Sequence, residues 1–202
     1  MVAARDGLIH GPLSGGTVHL CLDMQLMFGP EGPWPTPWME RVRPVVAALA
    51  ERFRDANVFT RFIPPASPDD EIGTWRPFYR RWRQVTRDRL DPAMLDLLPE
   101  LAAFVPPAPV IDKARFSAFT APALLELLTA GHVDTLVVSG AETDMCVLAS
   151  VLDAVDLGYR VVLVEDALCS SSDAGHDALM GLYRERFGVH IETVTSDVLL
   201  RG

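Results

Sequence analysis

The chain has 202 residues, 49% of them hydrophobic, and carries a formal net charge of −9. That length supports one domain with a large core, and no apolar run reaches the about 18 residues of a membrane-spanning helix. The acidic balance argues against a general nucleic-acid binder.

Residues 1–16 hold Gly7, Gly11, Pro12, Gly15 and Gly16 and read as an irregular arm. Thr17–Leu22 reads as the first strand, with Asp23 at its carboxyl end. Residues 24–37 are rich in proline and form a loop. Trp38–Asn57 places Val42, Val45, Val46, Leu49 and Phe53 at helical spacing. Val58–Ile63 is the second strand, stopped by Pro64 and Pro65. Residues 64–108 form an insertion with Trp75, Phe78, Tyr79, Trp82 and Phe104, and with Phe62 on its rim. Helices are expected within it over Trp75–Thr86 and Pro92–Phe104. Val110–Asp112 is the third strand, followed by Lys113, and Ala121–Ala130 is a helix closed by Gly131. Leu136–Ser139 is the fourth strand, followed by a helix over Met145–Leu157. Arg160–Val164, a helix over Asp173–Phe187 and Val189–Val194 complete the pattern. Alternating strands and helices predict a single α/β domain over 1–202, doubly wound in three α/β/α layers around a parallel sheet of six strands.

Asp23, Lys113 and Cys146 share one address, because each follows a predicted strand at its carboxyl end. In open parallel sheets, ligands bind outside those ends. Cys146 is the candidate nucleophile, expected in the first turn of a helix, whose N-terminal partial charge favours thiolate. A free thiol titrates near about 8.5 and needs help at neutral pH. Asp23 can take its proton and return it to a leaving amine. Lys113 can steady negative charge, and the N–H groups of Glu142 and Cys146 are candidates for an oxyanion hole. Each residue also has a plain reading: packing for Cys146, a turn residue for Asp23, a solvated surface group for Lys113.

Four segments carry a family resemblance: Leu22-Asp23-Met24-Gln25, Lys113 to Phe119, Gly140 to Val147, and Asp153-Ala154 with Gly158-Tyr159. In order and spacing the chain resembles, from Thr17 onward, the isochorismatase-like cysteine hydrolases, which include nicotinamidases and N-carbamoylsarcosine amidohydrolases. The resemblance implies strand order 3-2-1-4-5-6 and a catalytic triad of Asp23, Lys113 and Cys146. It also implies a cis peptide between Ala141 and Glu142. Nicotinamidases of this family bind a metal beside the triad through histidines. Here the second strand ends Thr60-Arg61-Phe62, and none of the five histidines pairs with another at ligand spacing. No metal and no cofactor are expected.

The insertion is basic as well as aromatic, so it reads either as a lid or as a contact between subunits. The expected pocket residues are Phe28, Arg61, Trp75, Arg76, Tyr79 and Phe119, with Trp82 as a further flat wall and Arg61, Arg76 or Arg80 fixing an anionic group. Cys21 reads as a small core residue, Cys169 as a loop thiol, and His176 as a structural hydrogen-bonding residue. Three unpaired cysteines without an apolar leader predict reduced thiols and the cytoplasm. The expected partners are a small-molecule substrate and further copies of the chain in a dimer or tetramer, with neither nucleic acid nor membrane.

The reading is a cysteine hydrolase that cleaves a C–N bond of a small amide, carbamoyl or imide-like compound through an acyl-enzyme on Cys146. The alternatives are a non-catalytic binding or scaffold protein with the same fold and a vinyl ether hydrolase of the isochorismate type. A redox thiol enzyme would need a resolving cysteine, and the sequence shows none at motif spacing.

Overall fold

Thr135–Ala141 is buried at every position, which suits a strand covered on both faces. This strand, β4, pairs in parallel with β1 (Thr17–Leu22) on one side and β5 (Arg160–Cys169) on the other. The computed structural model describes residues 7–201. With β2 (Asn57–Phe62), β3 (Val110–Lys113) and β6 (Ile191–Val194), the sheet runs β3-β2-β1-β4-β5-β6, all parallel. The part of the expected arm before residue 7 lies outside the described residues, and 7–16 hold no helix or strand.

Strand side chains alternate between two cores. Cys21, Phe59 and Val137 face α1 (Met39–Arg52), α7 (Ser196–Leu200) and the 64–108 insertion. Leu20, Val58 and Leu136 face α4 (Pro122–Ala130), α5 (Leu148–Asp156) and α6 (Asp173–Glu185). Among the described residues, no helix is long and apolar enough to cross a membrane.

Helix α1 stops sooner than its periodicity suggests. The Asn57 side chain donates to the Ala50 carbonyl at 2.7 Å, satisfying a last-turn acceptor while Asn57 itself opens β2. The same side chain meets His19 Nδ1 at 2.7 Å, and His19 Nε2 meets Ser139 Oγ at 2.8 Å, so this buried histidine is fully partnered.

In the insertion the two expected helices are broken. The first reduces to α2 (Trp75–Arg81), which ends where Trp82 leaves helical geometry (φ −106°, ψ 45°). The second is interrupted because Leu98 precedes Pro99 and is extended (ψ 140°), leaving a 3-10 helix over Pro92–Leu95 and α3 (Pro99–Ala102). Strand β6 starts at Ile191 rather than Val189, since Val189 is exposed and a turn from Phe187 accepts the N–H groups of His190 and Ile191. Cys169 is the buried last residue of β5, not a loop thiol.

Candidate active site

Strand register builds the site. Leu22 pairs with Gly140 and Phe62 with Lys113, so Asp23, Lys113 and the end of β4 emerge at one sheet edge. Asp23 turns the chain with φ 51°, a conformation open to Asp at modest cost. Gly140 adopts φ 110°, and a Cβ there would lie 2.1 Å from the Leu22 carbonyl oxygen. Only glycine lets β1 and β4 approach so closely at this point. The Ala141–Glu142 peptide is cis.

After it the chain makes a π-type turn, Thr143–Val147, in which the Val147 N–H donates to the Glu142 carbonyl at 3.1 Å. Cys146 therefore sits in a wide turn ahead of α5 and not in the first turn of a regular helix. It is also buried, like Asp23 and Lys113.

Lys113 Nζ lies 2.6 Å from Asp23 Oδ2 and donates to Cys146 Sγ at 3.3 Å. It also donates to the Arg115 carbonyl at 3.0 Å, which spends a further proton of the ammonium. The other carboxylate oxygen, Asp23 Oδ1, accepts from the Thr60 hydroxyl at 2.6 Å. Burial pushes the Cys146 thiol well above its ordinary range; the Asp23 carboxylate pushes the same way, and Lys113 pulls back. The helix-terminus argument for a resting thiolate is thus overridden by desolvation. Burial also pulls the Lys113 ammonium down, but Asp23 and Cys146 outweigh it and the net shift is upward. The thiol thus lies beside the Asp23–Lys113 pair, with burial opposing its ionisation.

Two further contacts latch the loop after β3 to α5. The Ser117 hydroxyl donates to Asp153, and Ser150 Oγ both donates to the Cys146 carbonyl and accepts from the Ala118 N–H. Thr143 Oγ1 pairs with His176 Nδ1 at 2.8 Å, giving that histidine a structural role.

Cys146 lines a cavity of about 450 Å³. Its apolar wall comprises Phe28, Trp34, Phe62, Phe78, Trp82 and Phe116, with Pro33, Pro35 and Met145. Its polar side is Glu142, Asp144 and Ser171. Trp34 is the hub, with ring centroids 5.9–6.2 Å from Phe28, Phe62, Phe78 and Trp82.

The remaining expected pocket residues lie elsewhere. Arg61 forms a two-pronged ion pair with Asp112 (2.7 and 2.9 Å) and faces Asp96, because strand alternation turns it away while Thr60 turns in. Arg76 is held by the Glu71 carbonyl and Arg80 by Asp69. Trp75 stands one layer behind the wall, against Phe78 and Phe116, and Tyr79 is wholly buried beside it. Phe119 stacks on Tyr159 over the opposite core. Sequence reasoning missed Thr60, Trp34, Phe116, Asp144 and Ser171. The available signal for Trp34 is its place between Pro33 and Pro35, where a stiff loop holds a large ring. Among the described residues, no three His, Cys, Asp or Glu side chains are grouped to hold a metal ion.

The chain is similar to a cysteine hydrolase of Pseudomonas syringae pv. phaseolicola, with a TM-score of 0.78 over 95% of this chain and 94% of that one; at 24% identity this likeness speaks for the fold. It is 29% identical to the maleamate amidohydrolase of Pseudomonas putida over 77% of this chain and 72% of that protein. It is also 29% identical to the N-carbamoylsarcosine amidase of an Arthrobacter species, over 69% of this chain and 53% of that protein. Residues 17–195 match the isochorismatase domain. With that match, and with the sheet order and the strand-end site described above, the chain belongs to the isochorismatase family.

Proposed function

We propose that the protein is a cysteine hydrolase that cleaves the C–N bond of a small amide or carbamoyl compound through an acyl-enzyme on Cys146. The observation that carries this reading is the Lys113 ammonium, which touches both Asp23 (2.6 Å) and the Cys146 sulfur (3.3 Å) on a cavity wall. Two relatives named as an amidohydrolase and an amidase support the C–N bond as the target.

In this mechanism Asp23 takes the thiol proton as the sulfur attacks the carbonyl carbon, so no free thiolate accumulates. Lys113 stays charged and offsets the charge passed between sulfur and carboxylate. The carbonyl oxygen becomes an oxyanion, for which the N–H groups of Glu142 and Cys146 are the backbone candidates. As the tetrahedral intermediate collapses, Asp23 returns the proton to the departing nitrogen, which leaves as ammonia or an amine. Water then attacks the thioester, giving up its proton to Asp23, and the acid is released as the thiol re-forms.

The test is ammonia release from a panel of amides, ureido compounds and cyclic imides, with Cys146→Ala and Asp23→Asn as controls. Hydrolysis lost by about 10²-fold or more in both variants supports the reading. A substrate hydrolysed equally well by Cys146→Ala sinks covalent catalysis. In parallel, iodoacetamide should label Cys146 far faster than Cys21 or Cys169, which do not line this cavity and are 1% and 0% exposed.

A further inference from the structure

We infer that the cavity beside Cys146 prefers amides bearing a cationic group and disfavours those bearing a carboxylate. The inference rests on the proposed amide hydrolysis and names the substrate class of that same site.

Three observations carry it. First, among the described residues the charged side chains lining the cavity are Glu142 and Asp144, both acidic, with no arginine or lysine. Their orientation is built in: Glu142 Oε2 accepts from the Ser171 N–H at 2.8 Å, and Asp144 Oδ1 accepts from the Ser170 hydroxyl at 2.6 Å. These bonds occupy Oε2 of Glu142 and Oδ1 of Asp144, and Asp144 Oδ2 lies against Gly175 at the start of α6.

Second, the nearby cations are committed elsewhere. Arg115 makes a two-pronged pair with Glu71 (2.8 and 3.1 Å), Arg61 pairs with Asp112, and Lys113 is matched by Asp23. A substrate carboxylate would enter without a forked partner and against two like charges.

Third, the opposite wall is aromatic. Ring faces attract cations within about 6 Å, and more strongly when water is excluded. The cluster already behaves so on its outer side, where the Arg115 guanidinium stands 4.9 Å from the Trp75 ring centroid. Trp34 and Trp82, which line the cavity, are the best ring type for this contact.

The experiment uses three benzamides that differ only in the para group: trimethylammoniomethyl, neopentyl (its uncharged isostere) and carboxymethyl. Binding is measured by calorimetry on Cys146→Ala, and independently as protection of Cys146 from iodoacetamide in the unaltered protein. Hydrolysis of the same compounds is assayed separately, so failure of turnover is distinguishable from failure of selectivity. The expected result is a Kd for the cation at least about tenfold below that of the carboxylate, with the neutral compound between them. In Glu142→Gln/Asp144→Asn, that ratio should shrink to about threefold or less. A carboxylate that binds as tightly as the cation, absence of binding by all three, or a ratio unmoved in the double variant overturns the inference.

Discussion

The Thr60 hydroxyl donates to Asp23 Oδ1 at 2.6 Å and accepts from the Asp23 N–H at 3.1 Å. One side chain thus fixes both the backbone and the carboxylate of the proposed base, and turns Oδ2 toward Lys113. Thr60→Val keeps the shape and removes both bonds. A hydrogen bond to a charged group contributes about 1.5–3 kcal/mol, so kcat should fall by about 10- to 100-fold with KM nearly unchanged. Steady-state kinetics on any substrate found by the ammonia screen decides this; unchanged kcat would show that Lys113 alone positions the carboxylate.

Lys113→Met leaves the Asp23 carboxylate buried without its partner. Breaking such a pair costs about 3–5 kcal/mol. The denaturant midpoint should drop accordingly, and adding Asp23→Asn should restore part of the loss. A single variant as stable as the parent would mean that solvent reaches Asp23.

His19 adds a pH dependence of stability. Burial, opposed by the Asn57 hydrogen bond, lowers it from 6.5 to about 4. The unfolded chain therefore takes a proton below about 6.5 that the folded chain refuses until about 4. Stability from this group is complete above that upper value and is lost as pH falls toward the lower one, by about 3 kcal/mol in all. Between pH 7 and pH 4.5, His19→Gln should lose less stability than the parent. Parallel pH profiles of the two proteins would remove His19 as the cause.

The pocket assignment separates two substitutions that composition alone would rank together. Trp34→Ala removes a ring that lines the cavity and should raise KM by about tenfold, the loss of one aromatic contact with the substrate of about 0.5–1.5 kcal/mol. Arg76→Ala lies outside the cavity, bonded to the Glu71 carbonyl, and should leave KM within about twofold. The reverse ranking would put the substrate beside Arg76, outside this cavity.

The sheet was legible because its strands are short, apolar and separated by helices, and the strand-end rule brought Asp23, Lys113 and Cys146 to one edge. Thr60 was hidden because alternation says which face a residue takes but not whether its hydroxyl meets a carboxylate across the next strand. Arg61, Arg76 and Arg80 were misplaced for a related reason. Composition counts cations, whereas pairing with Asp112, Asp69 and a backbone carbonyl depends on register and loop path. The resting state of Cys146 also escaped the sequence: a helix terminus favours thiolate, but the depth at which the turn is buried decides the outcome.

The latch between the β3 loop and α5 has a mechanical consequence. Ser117–Asp153 and the Ser150 contacts fasten the segment just after Lys113 to the segment that carries Cys146. The ammonium and the sulfur therefore sit on segments fastened to each other, while Phe78 and Trp82 belong to the insertion, which the Arg115–Glu71 pair ties to the same β3 loop. Substitutions within 64–108 should accordingly alter which molecules are admitted before they alter what is done to them.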